Sequence, residues 1–325
     1  MPAAADRRDQ PHPLSPPAAA PPTIRRVATL GRWGRFLGIM TVLGVVLRLI
    51  AGPGPVLSPL PTHFEVRPGP TVTAAQTRVI LAMAEHAEGI LAGYVGGHLP
   101  GLTLFIEADR AALARDLSAW LGVPESDAWR VVSAGAWVEA RGAIFVNLTP
   151  PRAAASGDAF WAVAHEEAHA FQERLVSPAL GGWLRGSCWA SHGSTMAPSG
   201  PMWLIEGSAD RFALHTLTNS AYWAGWAQGR TDEEVSWEIA TPAYAASGVR
   251  LQFLAAATPL SDEGYGLAFA AVTRLEAQTS WPAVVRYWRL LGEGLCWDQA
   301  FEEAFGMTPN QFYDDFEANR PPAGG

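Results

Sequence analysis

The stretch Phe160-Trp161-Ala162-Val163-Ala164-His165-Glu166-Glu167-Ala168-His169-Ala170-Phe171-Gln172-Glu173-Arg174-Leu175 decides how the rest of the chain is read. It is compatible with a helix throughout and contains His-Glu-x-x-His. On a helix, His165 and His169 stand one turn apart on one face with Cβ atoms about 5–6 Å apart, so both imidazoles reach a single metal ion. Glu166 projects beside them, placed as a base toward metal-activated water rather than as a ligand.

A catalytic zinc holds three protein ligands and keeps one position open. The segment Trp203-Leu204-Ile205-Glu206-Gly207-Ser208-Ala209-Asp210 is also helix-compatible and begins 34 residues after His169. Glu206 supplies the missing hard oxygen ligand. Asp210 lies one turn further on the same face, where it accepts the outer N–H of a ligating imidazole and fixes the tautomer. His165, His169, Glu206, Glu166 and Asp210 make a complete site for one Zn²⁺.

Together these segments resemble the gluzincin zinc metallopeptidases, the thermolysin- and aminopeptidase-like group, whose pattern is His-Glu-x-x-His followed by a Glu-x-x-x-Asp helix. The Trp-Leu-x-Glu-Gly-x-Ala-Asp form is similar to that of the group's small, single-module members, and weaker likeness extends over about residues 62–318. The resemblance implies zinc held by His165, His169 and Glu206, water activated by Glu166, and a ligand oriented by Asp210. It also implies a tyrosine near the scissile carbonyl that donates to the oxyanion. Tyr265, 59 residues after Glu206, is the match, with Tyr244 a rival and a core tyrosine the alternative. In that group the strand preceding the metal helix pairs with extended substrate, which would assign backbone contacts to the segment around Gly135-Ala136-Trp137. An ordinary edge hairpin is the other reading.

Composition narrows the function classes. The chain has 325 residues and 49% apolar content, enough for a substantial core. All 23 basic residues are arginine, a bias attributable to codon composition rather than chemistry. The formal charge of −8 is uneven: residues 1–50 hold seven Arg against Asp6 and Asp9, and the remainder holds 16 Arg against 29 acids. An acidic body lacks the basic footprint of nucleic-acid binding.

The expected organisation begins with a disordered, Pro- and Ala-rich cytoplasmic tail over residues 1–35. Residues 36–52 read as a transmembrane signal-anchor of 17 residues, at the short edge of what spans a bilayer, with Arg48 near its far end. A cleaved signal peptide and a buried core helix are the competing readings. Arginines before the apolar run place the tail in the cytoplasm and the body outside it, at a bacterial inner membrane. A stiff Pro-rich linker fills 53–61.

The body is expected to be α+β, with an α+β subdomain over 62–175 ending in the metal helix. A helical subdomain over 176–320 carries the third ligand. Strands are expected at His63–Val66, Leu102–Ile106, Ala134–Val138 and Ala143–Val146, the last two forming a hairpin about Arg141-Gly142. Helices are expected at Ala74–Tyr94, Ala111–Leu121, Gly264–Ala277, Trp281–Leu291, Trp297–Phe305 and Thr308–Asn319. Ser261 and Thr308 suit N-caps. Residues 176–202 read as a long loop. The two cysteines, Cys188 and Cys296, either form a disulfide or remain as core thiols.

The function expected is a membrane-anchored, extracytoplasmic zinc hydrolase acting on peptide or protein substrates. The alternative is a catalytically inactive relative with a binding or assembly role at the membrane.

Overall fold

In a computed structural model of the protein, the described residues are 64–99, 101–134, 137–140, 142–148, 157–183, 200–220, 232–246, 248–255 and 260–320. They all lie within the compact unit Met40–Gly325. The first part alternates strands with helices: β1 (Phe64–Pro68), α1 (Ala74–Val95), β2 (Leu102–Glu107), α2 (Arg110–Leu121), α3 (Glu125–Ala134), β3 (Trp137–Ala140) and β4 (Ala143–Asn147). The rest is helical: α4 (Gly157–Trp183), α5 (Met202–Thr218), α6 (Asp232–Ala246), a 3₁₀ turn at Leu251–Leu254, α7 (Asp262–Gln278), α8 (Trp281–Gly292), α9 (Trp297–Phe305) and α10 (Pro309–Ala318). The fold is α+β.

The sheet has the order β1-β2-β4-β3, with β1, β2 and β4 parallel and β3 antiparallel at one end. Its strands β2 and β4 are buried on both faces, and alternate residues therefore serve different cores. Leu104, Ile106, Ile144 and Val146 join the main core with α1 and α4. Phe105, Phe145 and Ala143 face the other way onto Leu113 and Leu117 of α2 and onto Ala128 and Val132 of α3. Phe105 and Phe145 stack with ring centroids 4.7 Å apart.

Local signals set the helix limits. Thr73 and Gln76 form a reciprocal capping box at the start of α1, and Gly96 ends it with φ of 79°. Ser261 caps α7 and Thr308 caps α10, as their sequence contexts indicate. Several elements depart from the expectation: α6 forms where no helix was expected, and the strand expected at Ala134–Val138 is β3 at Trp137–Ala140, with Ala134 instead ending α3. Helix α3 falls where no element was expected, because its inward side is reduced to Ala128 and Val132 while Trp129 and Val131 are exposed. Helix α4 runs on to Trp183 past Pro178, where a loop was expected to begin. Just before that proline α8 docks closely on α4: a Cβ on Gly292 would stand 1.9 Å from the Leu175 carbonyl oxygen, so only glycine allows this approach.

One core joins the two parts, from Phe64 to Phe316. Trp203, at the start of α5, is fully buried, stacks on Phe312 at 5.4 Å and donates its indole N–H to the Tyr313 hydroxyl at 3.2 Å. This anchors the N-terminal turn of α5 against the C-terminal helices. Among the described residues no helix is long and apolar enough to cross a membrane. The expected anchor at 36–52 lies outside those residues.

Candidate metal centre

Helices α4 and α5 pack side by side and turn one face each toward a shared point. From α4 come His165 and His169; from α5 comes Glu206. The two Nε2 atoms are 3.0 Å apart, and each lies 3.3 Å from the same Glu206 carboxylate oxygen. Three donors held around a tetrahedral ion with bonds near 2.1 Å would stand about 3.4 Å from one another. The observed triangle matches one face of such a tetrahedron to within a few tenths of an ångström.

The outward nitrogens decide what the inward ones can do. His165 Nδ1 lies 2.8 Å from Asp210 Oδ1, and that oxygen also accepts the Trp161 indole N–H at 2.9 Å. His169 Nδ1 lies 2.8 Å from Gln172 Oε1. Both partners accept, so both Nδ1 atoms carry their protons, and in the neutral imidazoles both Nε2 atoms present lone pairs. Two lone pairs and a carboxylate then face one another with no donor between them. The arrangement calls for a cation.

Electrostatics give the same sign. Burial by itself lowers the His165 imidazole, but Asp210 and Glu206 override it and raise the group well above its ordinary value. His169 is likewise depressed by burial and raised overall, chiefly by Glu206. Burial favours the neutral Glu206 carboxyl, yet hydrogen bonds from both imidazoles hold it far below the usual carboxylate range. Protons meet the demand for positive charge when no metal competes; a divalent ion meets it at all three atoms together. The donor set, two imidazoles and one carboxylate, suits zinc.

Glu166 lies next to His165 in the chain, and its charge acts on His165, His169 and Tyr265. Tyr265, in the first turn of α7, has its ring centroid 6.4 Å from that of His165. Burial and then the charges of Glu206, Asp210 and Glu166 raise its phenol, which stays protonated through the neutral range. Tyr244 is elsewhere, its hydroxyl donating to the Phe316 carbonyl within the core.

The close approach of α7 depends on Gly207, the residue after Glu206. A Cβ there would meet the Ala268 carbonyl oxygen at 2.3 Å and Val272 Cγ2 at 2.8 Å. The glycine in Trp-Leu-x-Glu-Gly-x-Ala-Asp is therefore a contact surface for the helix that carries Tyr265.

No protein-family model matches the chain, and no curated protein matches it significantly. The chemistry of the site rests on its own atoms.

The structure brings together His165, Glu166, His169, Glu206, Asp210 and Tyr265. Cys296, at the N-cap of α9, is disulfide-bonded, while Cys188 lies outside the described residues, as do Gly135 and Ala136. Three supporting residues are not singled out by the sequence motif: Trp161, Gln172 and Ser208. Their signal is spacing, since Trp161 is one turn before His165, Gln172 is three residues after His169, and Ser208 lies between Glu206 and Asp210.

Proposed function

We propose that the protein is a zinc-dependent hydrolase that cleaves peptide bonds. The observation that supports this most is the convergence of His165, His169 and Glu206 on one point, flanked by a carboxylate, Glu166, that is not among the three. A zinc ion in that triangle would supply Lewis acidity, bringing the pKa of water toward about 7 and polarising a carbonyl.

The chain's own residues carry the proton transfers. Glu166 accepts a proton from water as the water oxygen attacks the amide carbon. The C–N bond then breaks, and Glu166 returns the proton to the departing amine nitrogen. The Tyr265 hydroxyl, beside His165, donates to the carbonyl oxygen as negative charge builds on it. Asp210, steadied by the Trp161 N–H, keeps His165 in the ligating tautomer throughout.

An extended peptide is the substrate shape that suits the site. Strand β3 ends the sheet order and packs against the histidine helix α4, so among the described residues one of its edges has no strand partner and offers main-chain pairing to a peptide. The apolar run at 36–52 would tether this body to the outer side of the cytoplasmic membrane.

The test is Glu166→Gln in the purified full-length chain, assayed on a mixed peptide library with zinc content measured in parallel. Zinc retained with hydrolysis lost supports the assignment. Hydrolysis at the wild-type rate removes Glu166 from the mechanism, and loss of zinc makes it a ligand rather than a base.

A further inference from the structure

The two imidazoles are backed differently. Behind His165 stands a charged carboxylate, Asp210. Behind His169 stands an amide, and which end of an amide faces a histidine depends on what holds the other end. Gln172 Nε2 lies 3.1 Å from the Ile205 carbonyl oxygen, which can only accept, and 2.9 Å from Ser208 Oγ. The Ser208 hydroxyl has its own proton directed at the Leu204 carbonyl at 2.6 Å, so toward Gln172 it accepts. Both amide protons are therefore spoken for, and Oε1 is the end turned to His169.

We infer that Gln172 is a positioning residue for the metal centre, holding His169 with its proton on Nδ1 and its Nε2 lone pair toward the cation. It is itself locked by Ile205 and Ser208. The inference rests on reading the site as a metal centre and adds a determinant of its affinity. Gln172 is buried, and its anchors flank Glu206 in the chain, one residue before and two after. One side chain from α4 thus ties the histidine helix to the helix of the third ligand where they converge.

Neutrality is part of its role. Glu206, Asp210 and Glu166 already set three carboxylates against a divalent ion, so another carboxylate behind His169 would add to the negative charge of a buried site. An amide accepts the imidazole proton without adding charge.

The test uses the full-length wild type, Gln172→Met, which keeps length and volume but loses the acceptor, and Gln172→Glu, which restores it. Zinc affinity is measured by competition with a chromophoric chelator, and the His169 Nδ1–H signal of the zinc-loaded protein by ¹H–¹⁵N NMR. The expected result is about 10–100-fold weaker zinc binding for Gln172→Met, with loss of the exchange-protected Nδ1–H signal. Gln172→Glu should keep that signal and bind within about tenfold of wild type. Equal affinity and an intact signal in Gln172→Met overturn the inference while leaving the metal centre standing. A wild type that binds no zinc overturns the metal reading itself. Should Gln172→Met fail to fold, Gln172→Glu decides: loss of its Nδ1–H signal contradicts the role assigned to the acceptor.

Discussion

Replacing Gly207 by alanine sets two effects of opposite sign against each other. In a helix interior, alanine is favoured over glycine by about 1 kcal/mol, so propensity alone expects Gly207→Ala to stabilise α5. Against this, the new methyl would stand 2.3 Å from the Ala268 carbonyl oxygen and 2.7 Å from its carbon. Restoring ordinary contact needs α5 and α7 to part by about 0.7–1.1 Å, the shortfall from a 3.0–3.4 Å approach. The obstacle is backbone rather than a flexible side-chain end, which puts the overpacking cost near the top of the usual range of about 1–3 kcal/mol. The balance is a net loss of about 1–2 kcal/mol, or about 2–8 °C in Tm for a domain of this size. Function should suffer more, because Ala268 lies one turn from Tyr265, and a displacement of about 1 Å can cost roughly 100-fold in rate. Thermal unfolding, zinc affinity and peptide hydrolysis, measured on the same preparation, separate these effects. A variant that melts at or above the wild-type temperature and hydrolyses at the wild-type rate refutes the close-approach argument.

Two further perturbations probe the packing of the helical part. Arg211 Nε lies 2.6 Å from Glu276 Oε2, a buried charge contact between α5 and α7 without directed hydrogen-bond geometry, and His215 Nε2 is 3.2 Å from the other Glu276 oxygen. Arg211→Met should destabilise by about 3 kcal/mol, the low end for an orphaned buried charge, because His215 remains. Adding Glu276→Leu should recover much of the loss, and chemical denaturation of both variants checks this. Burial pushes the Tyr244 phenol up to about 12, whereas an unfolded chain releases that proton near 10. Between those values the unfolded state alone loses the proton, so this contribution to stability is intact below about pH 10 and falls as pH rises to about 12. Tyr244→Phe should flatten that part of the pH–stability curve relative to wild type; parallel curves would contradict it.

Elements with strong local signals are legible from the amino-acid sequence. The capped helices at Ser261 and Thr308 and the convergence of His165, His169 and Glu206 follow from spacing and end chemistry, whereas Tyr265 is indicated only by the resemblance. What is illegible there depends on tertiary contact. Helix α3 is short and leaves Trp129 and Val131 in solvent, so its apolar residues do not single out one buried face, and α4 continues past Pro178. The roles of Trp161, Gln172 and Ser208 emerge only when two helices face each other, because each acts on a group from its neighbour or through one. Gly207 looks like a weak helix residue in sequence; its purpose is visible only with Ala268 opposite.

The central claim is that His165, His169 and Glu206 hold one zinc ion, and X-ray absorption at the zinc edge, with metal analysis of the wild type and His169→Ala, tests it most directly. The expected result is one zinc per wild-type chain, with two imidazole nitrogens and at least one carboxylate oxygen at about 2.0–2.2 Å, and its loss from His169→Ala. Wild-type protein that stays free of metal after zinc loading and dialysis, or zinc that His169→Ala retains undiminished, contradicts the account.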